Sequence, residues 1–192
     1  MLLADRVYQS VREDILSSRC PPGTFLVEQD VARAHGVSRG TAREALQRLC
    51  AEGHLKNLPR KGYMVARLTR DDISKIQRLR LSIESLAYSI LIAEVDDDRL
   101  RAFFPLLSSP PDEGGEYLTV NARFHLELAK LTNDFILVNA LRTLLDALTT
   151  TAYYHQMAPN YGGQEYHEGI LDALLKRDHT TAVEWLKKDL LR

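Results

Sequence analysis

Six residues near the start of the chain, Ser38-Arg39-Gly40-Thr41-Ala42-Arg43, combine hydroxyls and guanidiniums at spacings suited to a polyanion. Arg39 and Arg43 are four apart, so on a helix they share a face. Either can fork onto a guanine edge or clamp a phosphate, while Ser38 and Thr41 can donate to phosphate oxygens. The alternative is a solvated face whose arginines pair with acids of their own helix, such as Glu44. Further along, Arg60-Lys61-Gly62 offers two cations beside a glycine, which lets a backbone approach a duplex closely. A second group of residues suggests different chemistry. Asn121 and His125 are four apart, and His167 and Asp189 sit on later segments. Two groups at that spacing, plus one from each of two other helices, is how helical bundles assemble metal sites. The plainer reading of a lone histidine such as His125 is a surface or hydrogen-bonded core position. Cys20 and Cys50 form no metal, redox or disulfide spacing and read as two thiols in a reducing cytoplasm.

The elements that must position these groups are nearly all helical. Val7, Val11 and Ile15, widened by Tyr8 and Leu16, predict an amphipathic helix over 4–18, stopped by Cys20-Pro21-Pro22-Gly23. A short helix over 28–35 ends at His35-Gly36, and Ser38 can cap a third in which Ala42, Ala45, Leu46 and Leu49 face inward. After Gly53, two short extended runs around a Pro59 to Gly62 turn give the chain's one convincing hairpin signal, over 54–66. Helix, short helix, turn, helix and hairpin is the order of a winged helix-turn-helix, whose third helix enters the major groove N-terminus first. From Thr69, capped with Asp71 and Asp72, helical patterns cover 69–95, 96–107, 116–131, 134–156, 162–176 and 178–191. Their breaks are Ser108 to Gly115, Thr132-Asn133, Pro159 to Gly163 and Arg177-Asp178. The expected fold class is mainly α: a winged helix-turn-helix over 1–68 and an all-α bundle over 69–192.

Charge supports that division. The net charge is -1, yet residues 1–66 carry ten Lys and Arg against seven Asp and Glu, while the remainder carries fifteen against nineteen. A basic head on an acidic body suits a polyanion at one end. The early Asp5 and Arg6 leave no room for a signal-peptide core, and the longest apolar run, Leu86 to Ala93, is too short to span a bilayer. A cytoplasmic protein without a membrane partner is expected.

The stretch Gly23 to Leu46, containing Gly36-Val37-Ser38-Arg39 and Arg43-Glu44-Ala45-Leu46, followed by Glu52-Gly53 and Arg60-Lys61-Gly62, resembles the GntR family of bacterial transcription regulators. The resemblance implies that Ser38, Arg39, Thr41 and Arg43 contact operator DNA, with Gly62 at the minor groove. Positions 40–42 read Gly-Thr-Ala where many members have Thr-Pro-Val, so the operator half-site is expected to differ. Arg80 with Glu84, Asn121 with Phe124-His125, His167 with Ile170, Arg177-Asp178, Ala182 and Asp189 resemble the ligand-sensing FCD domain of the FadR branch, in its shorter six-helix VanR-like layout.

Many members of that branch hold a divalent metal through one Asp and three His. Here Asn121 stands at the Asp position, His125 and His167 at two His positions, and Asp189 at the last. The implied set is two imidazoles, one carboxylate and one amide, able to hold Zn, Ni or Mn. The resemblance also implies a small carboxylate effector, with Arg80 placed to grip it; an Arg80–Glu84 pair is the alternative. Tyr153, Tyr154 and His155 either line that cavity or close the bundle. The resulting expectation is a homodimer on a pseudo-palindromic operator, released or gripped on effector binding. Two competing readings are a bundle that only dimerises and a metalloenzyme. The latter lacks a placed general base or nucleophile–base pair.

Overall fold

The computed structural model describes residues 2–102, 120–149 and 164–190. The expectations for Tyr153, Tyr154 and His155, and for the Ser108 to Gly115 and Pro159 to Gly163 breaks, fall outside those residues. The chain divides into two compact units, one running to Leu68 and joined by the segment that begins at Asp146, the other made of the rest from Thr69 onward.

The first unit runs α1 (Leu3–Leu16), β1 (Phe25–Leu26), α2 (Glu28–His35), α3 (Arg39–Ala51), β2 (Leu55–Leu58) and β3 (Gly62–Val65). Its core is the set expected from periodicity. Val7, Val11 and Ile15 of α1 meet Ala42, Ala45, Leu46 and Leu49 of α3, with Leu55 and Val65 beneath. Leu46 and Leu49 are fully buried. Truncating such a residue costs about 2–5 kcal/mol, so packing fixes which face of α3 looks inward and leaves its other face outside. α1 ends two residues short of the expected Ser18, which turns into a left-handed conformation (φ 60°) and redirects the chain. Gly36 ends α2 in the left-handed conformation (φ 63°).

A third strand was not expected. β1 pairs antiparallel with β3 (Phe25 opposite Met64, Leu26 opposite Tyr63), giving a sheet of order β1-β3-β2. Two residues show no alternation, so only the partner strand reveals β1. It also explains Gly62, which has φ 98° and would place a Cβ 2.6 Å from the Leu26 carbonyl oxygen. The duplex-approach argument for this glycine is therefore joined by an internal one.

From Thr69 onward come α4 (Arg70–Glu94), α5 (Asp97–Arg101), α6 (Val120–Lys130), α7 (Phe135–Thr149, whose last residues from Asp146 belong to the first unit), α8 (Gln164–Leu175) and α9 (His179–Leu190), six helices among the described residues. A reciprocal capping box starts α4: Asp72 N–H donates to Thr69 Oγ1 (3.1 Å) and Thr69 N–H to Asp72 Oδ2 (2.9 Å). At the other end of α4, Arg177 Nη1 donates to the carbonyls of Leu91, Ile92 and Val95 at 3.2, 3.1 and 2.8 Å. Ile92 and Val95 lie where a helix end leaves carbonyls without an intrahelical donor, while the Leu91 carbonyl also accepts from Val95 N–H at 3.1 Å. Asp178 then caps α9 by accepting from Thr181 N–H at 3.0 Å. Leu91, Leu126, Leu141, Leu145, Ile170 and Leu186 fill the core. α8 and α9 approach so closely that a Cβ on Gly169 would lie 2.5 Å from the Trp185 ring. The expected segment 96–107 appears as α5 over Asp97–Arg101, with residues past 102 outside the description.

Candidate functional site

On the first unit, α3 starts at a built cap. Ser38 Oγ accepts from Thr41 N–H at 3.1 Å, and the two hydroxyls are 2.9 Å apart. No acid stands in the first turn. Free N–H groups and the positive dipole end are thus offered outward together with Arg39. The two arginines are held by the preceding helix. Arg39 Nη2 donates to Gln29 Oε1 at 3.0 Å. Arg43 grips Glu28 with two bonds, Nε to Oε1 at 2.8 Å and Nη2 to Oε2 at 2.9 Å. Tyr63 of β3 donates to the same Glu28 Oε1 at 3.3 Å. Arg43 holds the Glu28 carboxyl below its ordinary pKa, against a smaller opposing effect of burial. The expected alternative for Arg43, an acid of its own helix such as Glu44, is corrected: its partner is Glu28 on α2, since the inward packing of α3 turns Arg43 toward that helix. At Gly40 a Cβ would find only Ser38 Oγ, 3.7 Å away, so packing does not require glycine there. Arg60 and Lys61 lie exposed at the tip between β2 and β3, with Arg60 in the left-handed region (φ 65°).

On the second unit, Asn121, His125, His167 and Asp189 converge from α6, α8 and α9, and all four are buried. His125 Nε2 lies 2.9 Å from Asp189 Oδ2. Asn121 Nδ2 lies 3.1 and 3.3 Å from the two Asp189 oxygens and 3.3 Å from His167 Nε2. Phe124 stacks on His167 with centroids 4.0 Å apart and rings 17° from parallel, which fixes the imidazole plane. α4 adds a further layer. His125 Nδ1 lies 2.5 Å from Glu84 Oε2, Glu84 Oε1 accepts from Arg80 Nε at 2.9 Å, and Arg80 Nη1 donates to Gln77 at 3.2 Å. Of the two readings of Arg80, the pair with Glu84 is thus formed, with both side chains buried.

Burial opposes charge throughout this cluster, and the neighbours decide the outcome. Burial would lower the pKa of His125, but Glu84 and Asp189 on its two sides together raise it. His167 has no carboxylate so close, so burial and the neighbouring His125 push it down to about 3 and it stays neutral. Burial would raise Asp189 and Glu84; the bond and charge of His125 together with His167 and Arg80 overcome it for Asp189, and Arg80 with His125 does so for Glu84.

One donor atom each from His125, His167 and Asp189 lies within 4.8 Å of the others. Tetrahedral zinc bonds of 2.0–2.1 Å place donors about 3.4 Å apart, so small movements would bring these three onto one ion. Asn121 Oδ1 is buried without a partner, while its Nδ2 faces the donors. Turning the amide end for end exchanges the two atoms and supplies a fourth oxygen donor. With an ion bound, Glu84 would stand behind His125 in the place of a carboxylate that orients a ligating imidazole. The residues fit a divalent cation. Glu84's role behind His125, and those of Glu28, Gln29 and Tyr63, were missed from sequence. Only the i,i+4 spacing of Arg80 and Glu84 hinted at any of them.

Residues 3–65 match the family described as bacterial regulatory proteins, gntR family, and residues 75–192 match the FCD domain. The HTH-type transcriptional regulator YdhC of Bacillus subtilis (strain 168) is 29% identical over 187 residues, 94% of this chain and 79% of YdhC. A GntR transcriptional regulator from Rhodococcus sp. RHA1 superposes with a TM-score of 0.78 at 25% identity, covering 97% of this chain and 93% of that one. McbR/YncC of E. coli shares the fold, with a TM-score of 0.72 at 20% identity over 99% of this chain and 94% of its own. No helix among the described residues is long and apolar enough to cross a membrane. YdhC and the Rhodococcus protein are named as regulators of transcription rather than enzymes, and by both of its domains this chain belongs to the GntR family of bacterial DNA-binding regulators, in the group that carries an FCD domain.

Proposed function

We propose that this protein acts in the cytoplasm as a homodimer on a pseudo-palindromic operator, under the control of a small carboxylate effector. The observation that carries the DNA assignment is the outward face of α3. Its other face is committed to the core, while Ser38, Arg39, Thr41 and Arg43 project at its N-terminal end and Arg60, Lys61 and Gly62 form the wing tip. One such module offers limited contact area; two coupled modules multiply affinity and double the sequence read.

In the second unit, His125, His167 and Asp189, with Asn121 as an oxygen donor, are proposed to hold a divalent cation such as Zn, Ni or Mn. Such an ion would supply a positive centre for the effector's carboxylate. Arg80 is proposed to share that carboxylate; its present grip on Glu84 is the type of contact it would make. A second reading, a bundle that only dimerises, is favoured by one observation. The Asn121 amide reaches both Asp189, at 3.1 Å, and His167, at 3.3 Å, so the four side chains can close on one another through hydrogen bonds.

The test is a thermal-shift series on the full chain with zinc, nickel and manganese salts and a panel of small organic acids, run beside binding to duplexes selected from a random library. Stabilisation by a metal and by an acid, with a matching change in duplex affinity, is the expected result. Stabilisation by none of them would select the dimerising reading, and failure to enrich any duplex would end the DNA assignment.

A further inference from the structure

The recognition helix does not hold its own arginines; the helix before it does, and one carboxylate ties three elements together. Glu28, the first residue of α2, takes both Nε and Nη2 of Arg43 on α3 and accepts from the Tyr63 hydroxyl on β3. Glu28 is only 22% exposed, whereas Arg43 is 57% exposed. The anchor is therefore half-sheltered and the group it anchors reaches outward.

A guanidinium has five N–H bonds in a rigid plane. Two are spent on Glu28, along the edge made by Nε and Nη2. The terminal edge made by Nη1 and Nη2 remains available, and it too can make a parallel pair of bonds to guanine O6 and N7. An arginine loose on a helix samples many rotamers and settles on whatever phosphate is near, a contact that carries no sequence information. One clamped along its side edge presents its end edge in one plane and one direction.

We propose that Glu28 is a specificity-determining positioning residue, holding Arg43 so that its terminal edge reads one base pair of each half-site, with Tyr63 tying that geometry to the strand that carries the wing. The proposal rests on the assignment of α3 as the DNA-reading helix. An anion beside a DNA-facing surface lowers affinity for every duplex through repulsion, so its presence is a cost to binding strength. The compensating gain is discrimination.

The experiment is selection of duplexes from a random library with the full-length protein, comparing wild type, Glu28→Gln, Arg43→Ala and the double variant. Affinity for a fixed non-specific duplex and the melting midpoint are measured in parallel. Glu28→Gln keeps one acceptor, loses the charge and cannot take both N–H groups. It is expected to lose roughly tenfold in preference at one symmetry-related pair of positions. Its non-specific binding should hold or tighten, and its melting midpoint should stay near that of the wild type. The same positions should relax in Arg43→Ala, and the double variant should relax no further.

Uniformly tighter binding of Glu28→Gln with an unchanged motif would overturn the proposal and leave Glu28 as a repulsive charge. A motif unaffected by Arg43→Ala would instead overturn the assignment of Arg43 as a reader, and a wild type that enriches no motif would overturn the DNA-reading face itself. If Glu28→Gln does not fold, Glu28→Asp carries the comparison, because it keeps the charge and shortens the reach; an unchanged motif would again overturn the proposal.

Discussion

The two units use the same kinds of side chain in opposite ways. On the face of α3 proposed to read DNA, Arg43 and Glu28 meet at the surface, where each charge keeps much of its hydration and the pair contributes little to stability. In the bundle, Arg80 and Glu84 meet out of reach of solvent, and the chain of contacts continues through His125 and Asp189 to Asn121 and His167. There each member depends on the next, because a buried charge without its partner is far more costly than an exposed one. The surface pair can be removed at little cost to the fold; the buried chain cannot lose a link without the fold responding. A regulator that must read one molecule and sense another has reason to contain both kinds of arrangement.

The sharpest way to break this contrast is to cut the buried chain. Asp189→Leu keeps the branch at Cγ but leaves His125 and the Asn121 amide without their acceptor. We expect a loss of about 3–5 kcal/mol in unfolding free energy by denaturant titration. A loss below 1 kcal/mol would mean that the cluster is wet or rearranges. On the recognition face, Arg39→Ala and Arg43→Ala should each weaken binding to a selected duplex by about 1–3 kcal/mol while changing stability by no more than about 0.5 kcal/mol. If operator binding were unchanged, α3 would not be the reading helix.

Asn121→Asp sharpens the comparison from inside the cluster. It removes the donor that satisfies Asp189 and His167 and sets two carboxylates against each other. In chelator the variant should melt below the wild type, and zinc should restore it above, with zinc affinity by calorimetry at least about tenfold tighter. Equal melting of the two proteins in chelator would show that the amide is not the bridge.

The smallest expected effect concerns pH in the first unit. Burial holds His54 below its ordinary value of 6.5, so folding favours the neutral ring. A depressed folded pKa contributes stability that is fully present above the unfolded value and is lost as pH falls below it. Stability should therefore decline from about pH 6.5 downward, and His54→Gln should flatten that slope in melting curves taken from pH 7 to 5.

The recognition face was more legible in the sequence than the cluster, and the reason is distance along the chain. Val7, Val11, Ile15 and the Ala42 to Leu49 stripe report their burial through local period, and Ser38 reports its capping through position alone. Asn121, His125, His167 and Asp189 could be grouped only by a rule for bundles and a resemblance, although they do meet. Glu84 shows the limit. Spacing offered its pair with Arg80 as one of two readings, yet its contact with His125 crosses from α4 to α6, and no local pattern encodes that. β1 was invisible for the same reason, since a two-residue strand is defined by its partner. Gln29 and Glu28 read as ordinary first-turn polar residues until α3 is packed beside them.

The tight seam between α8 and α9 has a practical meaning. Trp185 is the chain's one tryptophan. It lies over Gly169, two residues from His167, and four residues before Asp189 on the same helix, with Lys188 Nζ 4.1 Å from its ring centre. Indole emission from this protein therefore comes from a single chromophore at the edge of the buried cluster. Whatever enters or leaves that cluster can be followed by the colour and intensity of its fluorescence, without any added label.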